Sequence, residues 1–276
     1  MNVVGRLGKT LLSGYAGLLL FFLYAPLIVV CVFAFDSSTI AALPIKSFST
    51  KWFSSAFADT VLTGALVRSA LLAAVNGLAA TLLGVMAAVS LARDKLPLRA
   101  VMIALILLPL VIPYIVLAVG LLLLLHALGI QTSLLAVLAG HVVLSLPYCV
   151  LVILPRLRTL DPAVLEAAKD LGASDLKAFA LVTLPLLAPS LVSSFLIAFT
   201  ISFDEFAIAS FLAPPGAPTY PVFLYGASRT PALLPEMIAI GSIVIAVSLV
   251  LVIASDALRR YAERRMTAAP PPAAAL

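Results

Sequence analysis

Two adjacent carboxylates, Asp204 and Glu205, lie in the apolar run ISFDEFAIASF of this 276-residue chain. Ionisable groups inside a bilayer are costly, and by default they indicate a path for an ion or substrate. Neighbouring helix positions differ by about 100°, so at most one of the two points squarely into such a path. Asp204 shares a helix face with Thr200 and Ile208 and is the favoured candidate, whereas Glu205 is a candidate for capping, bridging helices or pairing with a neighbouring subunit. Two acids with few bases favour a cationic substrate.

The composition indicates that these acids belong to an integral membrane protein. The chain is 63% hydrophobic and 11% charged, with a mean hydropathy of +1.22, whereas soluble domains carry about 25% charged residues. A helical span needs about 20 apolar residues, and the predicted fold is therefore an all-α integral membrane protein with six spans. The first span exceeds a signal-peptide core and is read as a retained anchor. The six predicted spans are 14–35, 62–92, 100–125, 133–154, 188–212 and 234–257.

Basic residues predict the orientation. With the N-terminus inside, 13 of the 17 basic residues fall on the inner segments, as the positive-inside rule requires. The formal charge of +5 therefore reflects membrane orientation and does not indicate a nucleic-acid partner. With six spans, both termini are expected in the cytoplasm. Residues 14–258 form one membrane domain between a cytoplasmic flank, 1–13, and a tail, 259–276, expected to be disordered. The 13 inner basic residues are Arg6, Lys9, Arg93, Lys95, Arg99, Arg156, Arg158, Lys169, Lys177, Arg259, Arg260, Arg264 and Arg265.

The outer segments and several span residues have simpler interpretations. Segment 36–61 predicts a short interfacial helix around Trp52, and segment 213–233 is too rich in proline and glycine for a helix. His141 and Asn76 are expected to form hydrogen bonds between packed helices. Three prolines are predicted to kink the third and fourth spans, Pro109, Pro113 and Pro147. Neither a metal-binding cluster nor a disulfide is indicated by the sequence.

A charged stretch, EAAKDLGASDLKAFALVTLP, interrupts the apolar pattern between the fourth and fifth spans. Asp161 followed by proline predicts a helix start, and Gly172 predicts its end. Ser174 can cap a second short helix. The loop, about 156–187, is therefore predicted to be a helix, a glycine elbow and a helix on the inner surface.

The spacing within this loop resembles the signature of permease subunits of binding-protein-dependent (type I) ABC importers. It consists of Glu-Ala-Ala, three residues, glycine, nine residues, an aliphatic residue, any residue and Leu-Pro. From about residue 100 to 258 the chain is similar to spermidine/putrescine-type permeases, also in SFDEFAIASFLAPPGAPTYPVFLY. The signature positions are Glu166, Ala167, Ala168, Gly172, Val182, Leu184 and Pro185.

This resemblance implies the type I ABC importer permease fold, with the loop as the coupling helix that docks into a cytoplasmic ATPase. It implies a second permease subunit, expected to be a paralogue, two ATPase copies and a periplasmic binding protein in a bacterial inner membrane. The expected substrate is a polyamine. Tyr114 stands where relatives often have an acid and Arg68 where they often have asparagine. An amino acid-like or opine-like zwitterion is therefore the alternative, with snorkelling the simpler role for Arg68.

The chain carries no ATP site of its own. GRLGKT, residues 5–10, resembles the end of a phosphate-binding loop, but Val3 stands where the first glycine is required. ATP and Mg²⁺ are expected on the partner ATPase, and no cofactor is expected in this chain, which is not an enzyme by itself. The remaining alternatives are an ion-coupled secondary transporter, for which no convincing repeat is present, and a membrane scaffold without transport.

Overall fold

The structure is a computed structural model that describes residues 6–40, 42–93 and 97–267. Residues 1–5 of the predicted flank, Lys95 and the tail from 268 lie outside these ranges. The described ranges contain helices and one isolated antiparallel bridge, between Asp36 and Phe48, which confirms the all-α prediction. The helices are α1 (Arg6–Phe33), α2 (Lys51–Ala58), α3 (Thr60–Leu91), α4 (Arg99–Leu107), α5 (Tyr114–Ala127), α6 (Leu134–Arg158), α7 (Pro162–Asp170), α8 (Asp175–Ala178), α9 (Leu184–Phe203), α10 (Ala207–Leu212), α11 (Tyr220–Ala227) and α12 (Leu234–Thr267).

The described helices supply five apolar segments long enough to cross a membrane, and a sixth if one bent pair counts as a span. The bent pair, Arg99–Leu110 with Tyr114–Ala127, turns by 106° within the predicted third span. Pro113 precedes α5 with extended backbone (φ −55°, ψ 134°), so proline ends one helix segment before the next begins. By contrast, α6 continues as a helix through Pro147.

Three predicted boundaries need correction. The fifth span is not one helix, because α9 ends at Phe203 and α10 begins at Ala207. Segment 213–233 does contain a helix, α11, since Pro221 occupies its first turn, where the missing amide hydrogen is tolerated. The tail expected to be disordered from residue 259 begins helically, because α12 extends to Thr267.

The chain divides into two compact units. In residues 64–223, α3 packs closely on its neighbours through small residues. A Cβ added at Gly84 would lie 2.7 Å from the Cβ of Cys149, and one added at Gly77 would lie 2.8 Å from the ring of Phe195. The Nδ2 atom of Asn76 donates hydrogen bonds to the Ser145 hydroxyl and to a backbone carbonyl of α9, each at 2.9 Å. The predicted interhelical role of Asn76 is therefore confirmed.

The second unit comprises residues 1–63 and 224–276. Here both α1 and α2 pack against α12. The span Thr10–Phe33 of α1 has no buried residue in its most apolar window, so nearly all of its surface faces outward. The predicted short helix around Trp52 is present as α2.

Candidate functional site

The carboxylate of Glu205 is buried and forms its hydrogen bonds within the chain. The residue is only 5% exposed, and its two carboxylate oxygens accept hydrogen bonds from the backbone N–H groups of Ile208 (2.9 Å) and Ala209 (3.0 Å). A carboxylate that satisfies free N–H groups at a helix start stabilises that helix and its dipole. Glu205 therefore holds the first turn of α10, one of the roles predicted for it.

His141 completes this buried group from α6. Its Nε2 lies 3.3 Å from Oε2 of Glu205, and its Nδ1 lies 2.7 Å from the Ser202 hydroxyl of α9. The prediction of a hydrogen-bonded packing histidine is confirmed. The order serine, histidine, glutamate is that of a hydrolase triad, but all three side chains are buried, so no substrate reaches the hydroxyl. The group joins three helices at the break in the fifth span.

Asp204 differs from Glu205 in its burial and in its contacts. It is exposed, it is the C-terminal cap of α9, and its backbone N–H donates to the carbonyl of Thr200 at 3.2 Å. Within the described ranges its carboxylate has no hydrogen bond or ion pair to another side chain. Thr200 is also exposed, whereas Ile208 is completely buried, so the predicted shared face stops at the helix break.

The position of Asp204 suits a cation. The last carbonyl groups of a helix lack intrahelical partners, and the helix dipole makes this end negative. Broken spans in transporters use such carbonyl groups together with acids to bind cations. The pathway roles of Asp204, Thr200 and Glu205 stay predictions, and of the two acids only Asp204 has a carboxylate that the chain leaves available.

Tyr114 lies beside a tyrosine that the sequence analysis did not single out. It is the first residue of α5, directly after the bend, and its hydroxyl is 3.3 Å from that of Tyr148 on α6. Both α5 and α6 pack against α10, the helix capped by Glu205. The sequence clue was the run SLPYC, in which Tyr148 follows the proline of α6.

Arg68 binds the backbone of the segment before α11. Its Nε donates to the carbonyl of Pro218 at 3.0 Å, and the adjacent Ser69 hydroxyl accepts from the N–H of Tyr220 at 2.8 Å. These two bonds attach the segment 213–219 to α3. The side chain is half-buried, and both snorkelling and the binding of a substrate carboxylate stay predictions for Arg68.

The loop between α6 and α9 has the predicted elements. The Asp161 carboxylate caps α7 by accepting from the N–H of Ala163 at 2.9 Å. Gly172 follows the helix with φ +87°, in the left-handed region that glycine adopts at little cost. The N–H of Gly172 bonds to the carbonyl of Lys169, and the N–H of Ala173 bonds to the carbonyl of Ala168. This pair of bonds is a Schellman motif, which ends the helix at the predicted residue.

An ion pair spans the elbow beyond Gly172. Ser174 caps α8, as predicted, by accepting from the N–H of Lys177. The ammonium group of Lys169 on α7 lies 2.7 Å from the carboxylate of Asp175 on α8, a contact that the sequence analysis missed. After α8 a π-helical turn, Phe179–Thr183, leads into α9, whose first residues are Leu184 and Pro185.

The elbow presents an apolar surface. Glu166 and Ala167 are exposed, and Ala168 is half-buried. Leu171, beside the glycine, is 90% exposed, and Leu176 and Leu181 are also largely exposed. Three leucines displayed in this way next to charged residues are typical of a surface that is covered by another protein.

A cleft of about 560 Å³ lies away from these residues, between the α5–α6 connection and the segment after α10. It contains none of the predicted site residues. Within the described ranges no three His, Cys, Asp or Glu side chains come together as metal ligands. The cleft is lined by Leu122, His126, Gly129, Ile130, Gln131, Thr132, Pro214 and Pro215.

Comparison with protein families and curated proteins gives consistent matches. Residues 80–268 match the family described as binding-protein-dependent transport system inner membrane component. The spermidine/putrescine transport system permease protein PotC of Escherichia coli K12 is 32% identical over 254 residues, which cover 92% of this chain and 96% of PotC. The putrescine transport system permease protein PotI of the same organism is 35% identical over 253 residues, 89% of each chain.

Solved structures show the same fold. A chain of a bacterial ABC transporter involved in the import of the acidic polysaccharide alginate superposes with a TM-score of 0.70 at 16% identity, covering 93% of this chain and 96% of that one. A chain from the alginate transporter in complex with its alginate pentasaccharide-bound periplasmic protein gives 0.67 at 18% identity, covering 92% and 93%. At these identities the likeness concerns the fold alone.

Proposed function

The chain belongs to the family of binding-protein-dependent transport system inner membrane components, and from that premise we propose that it is the permease subunit of an importer for polyamines. The observation that carries the substrate class is the exposed carboxylate of Asp204 at the C-terminal end of α9. The similarity to PotC and PotI, whose names specify spermidine and putrescine, supports the same class.

The chemistry at Asp204 suits a primary ammonium group. Such a group has three N–H donors and a full positive charge, and a carboxylate beside helix-terminal carbonyl groups can accept more than one of them. Glu205 supports this arrangement indirectly, because its carboxylate maintains the break that ends α9. Tyr114 and Tyr148 add two hydroxyl groups and two aromatic faces, and aromatic faces attract ammonium groups.

The elbow between α7 and α8 is the contact for an ATPase. Leu171 and Leu176 would enter an apolar groove, while the Lys169–Asp175 pair links the two short helices. ATP and Mg²⁺ bind to that separate subunit and supply the energy for the conformational change. The signature residues of this chain transmit the movement to α9, namely Glu166, Ala167, Ala168, Gly172, Leu184 and Pro185.

The assembly comprises a second, paralogous permease subunit, two ATPase copies and a periplasmic binding protein in a bacterial inner membrane. Both termini lie in the cytoplasm, as the distribution of basic residues supports. The alternative substrate, an amino acid-like or opine-like zwitterion, requires a cation for its carboxylate. Arg68 is the candidate, but its Nε is already bonded to the backbone at Pro218.

The experiment is ATPase stimulation of the reconstituted complex by its binding protein, loaded with spermidine, putrescine or a zwitterionic amino acid. Stimulation and uptake with the polyamines, lost in Asp204→Asn and retained in the matched variant Asp59→Asn, whose amide oxygen can still cap α3, would support the proposal. Stimulation by the zwitterion alone would exclude polyamines as substrates and favour Arg68 as the group that binds the substrate carboxylate. Transport that depends on an ion gradient without the ATPase would overturn the importer assignment itself.

A further inference from the structure

The described residues of segment 36–48, between α1 and α2, form a hairpin, which we call the outer hairpin. Asp36 and Phe48 form an antiparallel bridge. The N–H of Ser37 donates to the carbonyl of Ser47 at 3.0 Å, and the two serine hydroxyls are 2.6 Å apart. These bonds close the base of the hairpin.

Large apolar side chains project from the outer hairpin. Ile40 is 73% exposed, Leu43 is 80% exposed and Phe48 is 74% exposed. An isolated exposed apolar residue is ordinary, but three in one short hairpin form a patch that water disfavours. The patch therefore requires a partner.

The charge of this region indicates which partner. Its one acid, Asp36, is buried, and its carboxylate accepts hydrogen bonds from the N–H and hydroxyl of Ser38. Lys46 and Lys51 remain exposed. The accessible charged groups are thus two cations, beside exposed apolar and hydroxyl side chains, a combination that suits the boundary between acyl chains and phosphate headgroups.

The outer hairpin has a fixed position. The indole N–H of Trp52 donates to the backbone carbonyl of Asp36 at 2.9 Å, and the rings of Phe35 and Phe53 are 5.1 Å apart. The helix that carries Trp52 and Phe53, α2, packs on α12, where the Ser55 hydroxyl donates to the carboxylate of Glu236. These contacts hold the hairpin beside the ends of the two apolar helices of this unit.

We propose that the outer hairpin is a membrane-surface anchor, in which Ile40, Leu43 and Phe48 enter the headgroup–acyl boundary and Lys46 and Lys51 contact lipid phosphates. The hairpin begins three residues after α1 ends at Phe33, so its base is at the membrane surface by continuity of the chain. This inference is independent of the substrate, and its failure would leave the proposed transport function unaffected.

Two other partners compete for this surface, a periplasmic binding protein and a second permease subunit. Either would need acidic groups opposite Lys46 and Lys51, whereas lipid phosphates are present wherever the hairpin reaches the bilayer. The bilayer is favoured for that reason, and the test separates it from both proteins.

The test is quenching of tryptophan fluorescence by lipids brominated near the carbonyl end of their acyl chains, with the full chain in nanodiscs. Trp52 is the only tryptophan of the chain, so Leu43→Trp in a Trp52→Phe background gives a single probe. This background removes the indole hydrogen bond to Asp36 but keeps the Phe35–Phe53 ring contact and the Ser37–Ser47 bonds that hold the hairpin. Leu20→Trp on the exposed face of α1 serves as the lipid reference, and Asp170→Trp on α7 as the aqueous reference. The Leu43→Trp probe is expected to be quenched within about twofold of the lipid reference, with blue-shifted emission.

Quenching equal to the aqueous reference would overturn the proposal. Quenching that vanishes when the binding protein or the second permease is added would also overturn it, because the surface would then be a protein interface. A second variant leaves Trp52 in place: L43S/F48S should reduce lipid quenching of Trp52, since lipid then packs less closely around the hairpin whose base bonds to the Trp52 indole. Unchanged quenching of Trp52 in that variant would contradict the anchor.

Discussion

The carboxylate of Glu205 lies 3.3 Å from the imidazole of His141, deep inside the unit, whereas the carboxylate of the preceding residue, Asp204, is exposed. Two adjacent acids therefore have opposite roles. One holds a broken helix together from within, and the other is available at the end of that helix. Substitutions at the two positions should separate transport from stability.

Asp204→Asn should reduce transport without unfolding the protein. Loss of a charge-assisted hydrogen bond costs about 1.5–3 kcal/mol, equivalent to about a ten- to hundredfold loss of uptake. Uptake and ATPase stimulation with loaded binding protein are the measurements, with the melting temperature as the control. Asp204→Glu should recover part of the activity. Full uptake in Asp204→Asn would remove this residue from the pathway.

Glu205→Ala should instead destabilise the protein. It removes the cap of α10 and leaves two N–H groups and His141 without their buried partner, so the free energy of unfolding should fall by about 2 kcal/mol or more. The melting temperature in detergent measures this effect. Glu205→Gln keeps an acceptor oxygen and should cost less. A normal melting temperature with lost uptake would show that Glu205 acts in transport directly.

Gly172 should be required for coupling because its φ of +87° disfavours residues with a Cβ. Gly172→Ala should strain the elbow by about 1–2 kcal/mol, with Gly172→Asn tolerated better since asparagine adopts this region more readily. Nothing lies within 4 Å of a Cβ added there, so any loss comes from backbone conformation and not from a clash. Association with the ATPase and stimulated hydrolysis are the measurements. Equal behaviour of the two variants would contradict the backbone explanation.

The Lys169–Asp175 pair should matter more for the alignment of α7 and α8 toward the ATPase than for the free energy of unfolding. Both side chains are substantially exposed, and such pairs are worth at most about 1 kcal/mol. Lys169→Asp and Asp175→Lys should each weaken ATPase association, and the charge-reversed double variant should restore part of it. The measurement is copurification at low and high salt. An additive loss in the double variant would exclude a role for the pair.

Gly84 should tolerate no larger residue. A Cβ at this position would lie 2.7 Å from the Cβ of Cys149, and overpacking of this kind costs about 1–3 kcal/mol. Gly120→Ala on α5 is the matched control, because nothing lies within 4 Å of its added Cβ. Thermal unfolding in detergent should show a lower melting temperature for Gly84→Ala only. Partial recovery in Gly84→Ala/Cys149→Gly would identify the clash as the cause.

The outer hairpin should respond to acid through Asp36. Hydrogen bonds from the Ser38 hydroxyl and N–H hold the pKa of Asp36 below its ordinary value. The ionised form therefore stabilises the hairpin at pH values above the ordinary carboxyl pKa, and this contribution is lost as the pH falls through the lowered pKa. The emission of Trp52, which donates to the Asp36 carbonyl, should report the transition.

Ser38→Ala should move that transition to higher pH, whereas Ser54→Ala, whose hydroxyl bonds to Lys51, should not. An unchanged midpoint in Ser38→Ala would mean that another group controls the emission.

Local signals in the sequence were sufficient for much of this architecture. Runs of apolar residues determined which segments are helical spans, because the bilayer thickness sets a minimum length. Asp161 and Gly172 determined where α7 begins and ends, and Ser174 determined where α8 begins, since caps act on backbone groups within a few residues.

The break in the fifth span was not predictable from such signals. SFDEFA contains neither proline nor glycine, and helix periodicity gave no reason to stop at Phe203. The same limit applies to Arg68, whose partner Pro218 is 150 residues away, and to Lys169, whose partner lies across the glycine elbow.

The sequence by itself thus determined the membrane class, the spans and the helix–elbow–helix loop, since these depend on hydrophobicity and on short-range hydrogen bonds. Only the tertiary structure decided that Glu205 turns inward and Asp204 outward. That choice depends on His141, which reaches the break from α6 once the chain is packed. The imidazole of His141 contacts both Glu205 and the Ser202 hydroxyl of α9. A buried carboxylate is stable only where its partners converge, and convergence of distant residues is a property of the fold.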